Sequence, residues 1–290
     1  MSRIAYVNGA YLPQPVAGVN VEDRGYLFGD GIYEVTHVHD GRFVDEDRHL
    51  ARLERSLAEI RLTMPLPLRS LKLVLREVVR RNRVRHGLVY MQVTRGVARR
   101  DHAFPAPGTR PGIVVMAKRM KGFPERIEGW GGGAVLCPDL RWARRDIKSV
   151  NLLPNVLAKQ AAREQGAVEA ILFDERSGEV TEGSSTSVWM VDEHGAIRVP
   201  PFSHALLPGI TRQALAAEMS AAGIALEERS FTVDELRRAR EVFLTSATSF
   251  VKPILSIDGV AVGDGAPGPV SRRLFDLFAR HVAGGPRNAA

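Results

Sequence analysis

An α/β chain of two domains, mixed in the α+β sense, is what the sequence predicts, and three observations carry that prediction. Short alternating or wholly apolar runs, such as Ile32 to Val38 and Gly112 to Ala117, read as strands. Longer runs with helical spacing stand between them: Leu50, Leu53, Leu57 and Ile60, and later Leu274, Leu277, Phe278 and Val282. Lys118 to Gly133, ending in Gly-Trp-Gly-Gly-Gly, has little periodicity and reads as a connection. The 290 residues then divide into a small N-terminal α/β domain (1–120), a connection (121–133) and a larger C-terminal domain (134–290).

The elements follow in order. Ile4 to Val7 and Ala10 to Leu12 flank an Asn8-Gly9 hairpin turn. Glu22 to Gly31 is a glycine-rich loop that fits no phosphate-loop formula. The next strand alternates, with Tyr33, Val35 and His37 on one face and Glu34, Thr36 and Val38 on the other; Asp40-Gly41 closes a hairpin onto Phe43-Val44. Asp47 is placed to cap the following helix, and Arg52 lies beside that helix's apolar stripe. An arginine in that position wants an anion if it is buried, or snorkels to solvent if it is not.

A second helix carries Leu68, Leu71, Leu75 and Val78, and Leu88 to Thr94 reads as a strand. The polar loop Arg95 to Pro105 sets Arg100 and His102 two residues apart, which offers two donors to a carboxylate or simply a solvated basic loop.

In the second half, Ala134 to Trp142 looks extended. Lys148 then stands ahead of a helix that Pro154 starts and that shows Leu152, Leu153, Val156 and Leu157 at one-face spacing. Glu169 to Phe173 is a strand. Glu182 is followed by Gly183 and a run of hydroxyls, Ser184 to Ser187, an odd sequence for a core and a natural one for a turn rich in local hydrogen bonds. Ser187 to Val191 and Ala196 to Val199 form another hairpin. Pro208-Gly209-Ile210-Thr211 opens a helix, with Thr211 able to cap it, and such a start is a ready anion site. Phe243 to Ser249 is a strand ending in hydroxyls, and from Gly284 the chain reads as a frayed tail.

Composition excludes some functions. The net charge of +7 is spread along helices rather than gathered in one run, and there is no zinc spacing or nucleic-acid-binding signature. No metal and no nucleic-acid partner are expected; small anionic ligands suit the charge. Cys137 is the only cysteine, so no intrachain disulfide forms and a reducing, cytoplasmic setting is expected. No secretory signal and no run near the ~18 apolar residues of a membrane span are seen.

One lysine, one glutamate in a hydroxyl-rich turn, one arginine and one helix start make a chemical set. Lysine forms a Schiff base with an aldehyde cofactor. Pyridoxal 5'-phosphate needs such a lysine, an acid for its ring nitrogen and a phosphate site.

The stretches Glu22 to Glu34, His49 to Leu53, Asp146 to Leu153, Val180 to Ser185, Pro208 to Arg212 and Thr245 to Ser249 occur in the order of a known family. Together they make the chain resemble the class IV, fold-type IV pyridoxal-phosphate aminotransferases, closest to D-amino acid (D-alanine) aminotransferases. The resemblance implies a small α/β domain, a larger barrel-like cofactor domain and a homodimer. It implies Lys148 as Schiff-base lysine and proton carrier, and Glu182 as partner of the ring nitrogen. Arg52, Ile210, Thr211, Ser246 and Ala247 are implied as the phosphate cup. Tyr33, Arg100 and His102 would trap the α-carboxylate of a D-amino acid whose amino group passes to a 2-oxo acid such as 2-oxoglutarate or pyruvate. The same fold serves L-branched-chain or mixed aminotransferases and 4-amino-4-deoxychorismate lyases, which remain alternatives. Two positions depart from the family pattern: Ala247 replaces a hydroxyl residue, and Ser187 stands where asparagine is frequent.

Overall fold

Contacts in a computed structural model, which describes residues 3–284, divide the chain into two units. The first is Met1–Gly122 with Ile147–Asn151, and the second is Phe123–Asp146 with Leu152–Ala290.

The first unit is an antiparallel sheet with helices packed on it. Its strands are β1 (Ile4–Val7), β2 (Ala10–Pro13), β3 (Gly31–His39), β4 (Arg42–Phe43), β5 (Gly87–Thr94) and β6 (Gly112–Arg119), in the order β2-β1-β6-β5-β3-β4. A short helix, α1 (Arg24–Phe28), precedes β3. Helices α2 (Glu46–Glu59) and α3 (Leu68–Asn82) lay their leucine stripes on the sheet. Leu53, Leu57, Leu71 and Leu75 pack with Ile32, Val89, Met91 and Val115 in one core. Each such leucine, fully buried, contributes about 1.5–3 kcal/mol. The cap of α2 differs from expectation. Asp45 holds the N-cap position at φ 54°, and Asp47 lies inside the first turn, where its charge faces the positive end of the helix.

Alternation in β3 decides what lies under the helices. Ile32, Glu34, Thr36 and Val38 are buried, so a carboxylate is folded into the core-facing phase of the strand. The segment 147–151 joins this unit through β3. Tyr33 N–H donates to the Lys148 carbonyl at 3.0 Å, Val150 N–H to the Gly31 carbonyl at 3.1 Å, and Ile147 is part of the same core.

The second unit is a mixed sheet of β7 (Gly132–Pro138), β8 (Glu169–Phe173), β9 (Val180–Gly183), β10 (Ser187–Val191), β11 (Ile197–Val199), β12 (Glu227–Glu228), β13 (Glu241–Ser246), β14 (Phe250–Ile257) and β15 (Val260–Ala261). Their order is β12-β11-β10-β13-β14-β7-β8-β9, with β15 on β14. β7 runs parallel to both β8 and β14, and β11 to β12; the other pairs are antiparallel. Val180, Val188, Met190, Phe231, Leu236, Val242 and Leu244 form its core.

Helices α5 (Ile210–Ala221) and α7 (Pro269–Ala283) pack together beside β13 and β14; the short α6 (Val233–Arg237) adds Leu236. Gly284 ends α7 in the left-handed region at φ 72°; the rest of the expected tail lies outside the described residues.

Helix α4 (Leu153–Glu164) takes Pro154 into its first turn, where the missing N–H costs nothing. β7 stops at Pro138, so the chain from Asp139 to Leu152 is irregular and Lys148 sits well past the strand end. Leu153, Val156 and Leu157 on α4 are 69%, 57% and 61% exposed, while Ala162 is the residue of this helix that is buried. Among the described residues no helix is long and apolar enough to cross a membrane.

Candidate active site

Each unit holds its own share of the expected residues. In the first, the Lys148 Nζ lies 4.2 Å from the Tyr33 ring centroid. The backbone clamp on β3 explains the proximity: Tyr33 N–H holds the Lys148 carbonyl, so both side chains leave from one hydrogen-bonded point. Tyr33 stacks on Tyr90 with centroids 5.8 Å apart. Burial pushes the Tyr90 phenol up to about 12, so it stays neutral and donates to the Gln92 side chain at 2.7 Å.

Arg52 is buried, and the anion it meets in the chain is Glu34. Arg52 Nε donates to Glu34 Oε1 at 2.6 Å and Nη2 to Oε2 at 3.0 Å. His49, one turn earlier on α2, lies 2.8 Å from Glu34 Oε2 through Nδ1. Burial alone would raise the Glu34 carboxyl, but the Arg52 charge and the His49 hydrogen bond outweigh it and hold the group at about 2. Glu34 is thus ionised and aims Arg52. It was legible only as a charged residue in the inward phase of an alternating strand.

Arg100 and His102 gather on the ring of Phe28. The Arg100 guanidinium carbon lies 5.3 Å from its centroid and the His102 ring 5.4 Å. Tyr33, by contrast, sits with Lys148 and Tyr90.

In the second unit Glu182 is buried at the end of an ion-pair chain. Arg141 donates to it, and Arg141 also grips Asp139 through Nε at 2.9 Å and Nη2 at 2.7 Å. Thr181 Oγ1 donates to Asp139 at 2.7 Å. Burial pushes the Glu182 carboxyl above its ordinary value, against the opposing pull of Arg141 and the Leu207 N–H. A desolvated carboxylate of this kind is a strong acceptor for a ring N–H. Asp139 and Arg141 carried no sequence signal of their own: they fall in the run Ala134 to Trp142 expected to be extended, whereas the strand stops at Pro138.

The Leu207 N–H points at Glu182, at 3.3 Å from Oε2, and brings the start of α5 close to it. Ile210 and Thr211 are buried in the first turn of that helix. The N-cap is Gly209 rather than Thr211, so the cap supplies no side-chain acceptor and the first N–H groups are left for an anion. Gly209 is also a close approach: a Cβ there would stand 2.7 Å from the Ser187 Oγ. Ser246 and Ala247 begin the β13–β14 turn, where Ser246 Oγ accepts from Ser249 N–H at 3.0 Å. It also accepts from Thr248 N–H at 3.3 Å and shares a hydrogen bond with the Thr248 hydroxyl at 3.4 Å, in which either oxygen can donate. Ala247 offers a backbone N–H and no hydroxyl.

The hydroxyl run after Glu182 turns out to bond at long range. Ser184, Ser185 and Thr186 all donate to Glu169 on β8, Ser185 at 3.1 Å and Thr186 at 3.2 Å. A buried carboxylate therefore anchors the turn that carries Glu182. Its missing signal was the pairing of β8 with β9, which brings Glu169 under a turn some fifteen residues on.

Comparison with known proteins identifies the family. The amino-transferase class IV family matches residues 31–257. The D-alanine aminotransferase of Staphylococcus haemolyticus is 41% identical over 277 residues, covering 96% of this chain and 97% of that protein. That of Bacillus licheniformis is 42% identical over 267 residues, covering 92% and 93%. Among solved structures, the branched-chain amino acid aminotransferase of T.th. with pyridoxamine 5'-phosphate superposes with a TM-score of 0.87 at 27% identity, covering 99% of this chain and 96% of that one. The chain belongs to the class IV aminotransferases.

Proposed function

We propose that the chain is a pyridoxal 5'-phosphate-dependent transaminase that moves the amino group of a D-amino acid, of the D-alanine or D-glutamate type, to a 2-oxo acid. The residues present fit the cofactor. Lys148 supplies the amine, Glu182 a buried carboxylate for a ring N–H, and the uncapped start of α5 a set of N–H groups for a phosphate. When bound, the cofactor supplies an electron sink for the substrate α-carbon.

The chain's own residues then divide the work. Lys148 Nζ would hold the cofactor through its aldehyde and would carry the substrate α-proton. Glu182 would keep the ring nitrogen protonated. Arg52, aimed by Glu34, the Ile210 and Thr211 N–H groups, Ser246 Oγ and the Ala247 N–H would hold the phosphate. The α-carboxylate would be bound by Tyr33 together with Arg100 and His102, whose loop would cross to the neighbouring subunit's site. The observation that carries the D-amino acid reading is the Arg100-Asp101-His102 sequence, present in a chain about two-fifths identical to D-alanine aminotransferases over nearly its whole length.

Leu153, Val156 and Leu157 support a homodimer, because three adjacent apolar residues on one helix face are costly to leave in water. A cytoplasmic setting accords with the single cysteine.

The test is a half-reaction titration of the cofactor-loaded protein with D-alanine, D-glutamate or L-leucine and no 2-oxo acid. Loss of the visible cofactor band with D-amino acids alone supports the reading. Loss with L-leucine alone assigns the chain to the branched-chain type.

A further inference from the structure

The glycine-rich stretch Glu22 to Gly31 binds nothing by any phosphate formula, yet it is built with care. Asp23 caps α1 by accepting from the Gly25 N–H, and Gly29 ends the helix in the left-handed region at φ 66°. A Cβ on Gly25 would stand 2.2 Å from a methyl of Thr94, so α1 is pressed against the end of β5. This short helix delivers two side chains: Phe28, on which Arg100 and His102 gather, and Arg24, which is 3% exposed.

Arg24 spends its guanidinium on the loop. Nη1 donates to the Asp101 carbonyl at 2.6 Å, and Nη2 reaches the His102 carbonyl at 3.5 Å. Nε donates to Asp30 Oδ2 at 2.9 Å. Asp30 is shared with Arg95, whose Nε and Nη2 lie 2.8 Å and 2.9 Å from its two oxygens. Arg95 in turn donates to the Ile60 carbonyl at 2.8 Å and the Arg61 carbonyl at 3.2 Å. Burial would raise the Asp30 carboxyl, but the two arginines outweigh it and hold it below the usual carboxylate range.

Residues 98–105 have no strand or helix of their own. The carbonyls of Asp101 and His102, which lie within the Arg100-Asp101-His102 stretch, are fixed by a side chain from α1. Only a planar fork reaches two successive carbonyls while a third nitrogen is tied to an acid. The acid matters as much as the fork. Tied to Asp30, Arg24 cannot swing away and compete for an incoming carboxylate.

We infer that Arg24, oriented by Asp30, is a positioning residue for the Arg100–His102 loop. It sets where those two side chains stand and thereby the affinity for the α-carboxylate of the amino-acid substrate. The inference rests on the reading of Arg100 and His102 as the carboxylate trap.

The test compares Arg24→Met and Arg24→Lys with the wild-type protein in three measurements. Hydrogen exchange of the 98–104 amides is followed without cofactor, cofactor affinity by titration, and KM and kcat with D-alanine. In Arg24→Met, exchange of the loop is expected to accelerate while that of β3 is unchanged. KM should rise about tenfold or more, with kcat falling by less and cofactor affinity held. Arg24→Lys, which keeps the charge but on a single nitrogen, should recover part of the KM and decides the matter if the methionine variant does not fold.

Unchanged loop exchange and KM in a normally active background overturn the inference and leave the proposed function standing. Parallel losses of KM, kcat and cofactor affinity also overturn it, since they mark a general structural role. A wild-type protein that shows no turnover with D-amino acids sinks the carboxylate-trap reading, and the positioning role falls with it.

Discussion

Glu34 on β3 and Arg52 on α2 form a two-point ion pair at 2.6 Å and 3.0 Å, and both side chains are almost wholly removed from water. The strand's inward phase and the helix's buried edge meet there, so a charge pair stands where a packed core would be expected. Removing one partner of such a pair leaves the other charged and desolvated. Glu34→Gln should therefore destabilise the protein by about 3–5 kcal/mol in denaturant titration and weaken cofactor binding at the same time. Unaltered stability would mean that Arg52 does not need Glu34.

The same pair gives an acid limit. The Glu34 carboxyl sits at about 2 in the fold, against 4.5 ordinarily. Its stabilisation is present above pH 4.5 and is lost as pH falls through about 2, about 3 kcal/mol in all. Unfolding free energies measured from pH 5 to pH 2 should decline more steeply in the wild type than in Glu34→Gln.

His37 sets a second and separate window. Burial, with His39 and His86 near it, pulls its imidazole down to about 4 from 6.5. Asp40, Arg42 and Arg85 surround the same corner. Between those values the unfolded chain binds more protons than the folded one, so this stabilisation is complete above pH 6.5 and is lost as pH falls to about 4. It amounts to about 3 kcal/mol. His37→Phe should flatten the loss of thermal stability between pH 7 and pH 5; an unchanged slope would put the acid sensitivity in other groups.

Chemistry and substrate binding should separate by residue. Lys148→Ala is expected to abolish turnover while leaving the fold intact, since the lysine ammonium rests against the Tyr33 ring and its backbone, which the alanine keeps, makes the bond to β3. Arg100→Ala with His102→Ala should act mainly on KM for D-amino acids, by about 10- to 100-fold, the worth of one or two charge-assisted hydrogen bonds. Full activity in the first variant, or unchanged KM in the second, would remove the corresponding role.

The exposed face of α4 should report on assembly. Leu153→Asp with Leu157→Asp places charge at two of its three exposed apolar positions. Light scattering is expected to give a dimer for the wild type and a monomer for the variant. A monomeric wild type would leave this face without its proposed partner.

What the sequence determined by itself was local and periodic. Alternation in Tyr33 to Val38 and the leucine stripes of α2 and α3 placed strands and helices, because a period of two or of about 3.6 follows from backbone geometry alone. Ordered motifs named the family and its expected chemical residues. Tertiary structure alone decided the partners of the charges. Glu34 meets Arg52 because a strand face and a helix edge converge, and Ser184 to Thr186 reach Glu169 because β8 lies beside β9. Arg24 holds carbonyls 77 and 78 residues further along the chain. Caps behaved likewise: Asp45 and Gly209 took the positions that Asp47 and Thr211 were expected to fill, since the turn geometry before each helix, and not the residue type, set where it began. Distance along the chain carries no information about such contacts, and they are the ones that aim the site.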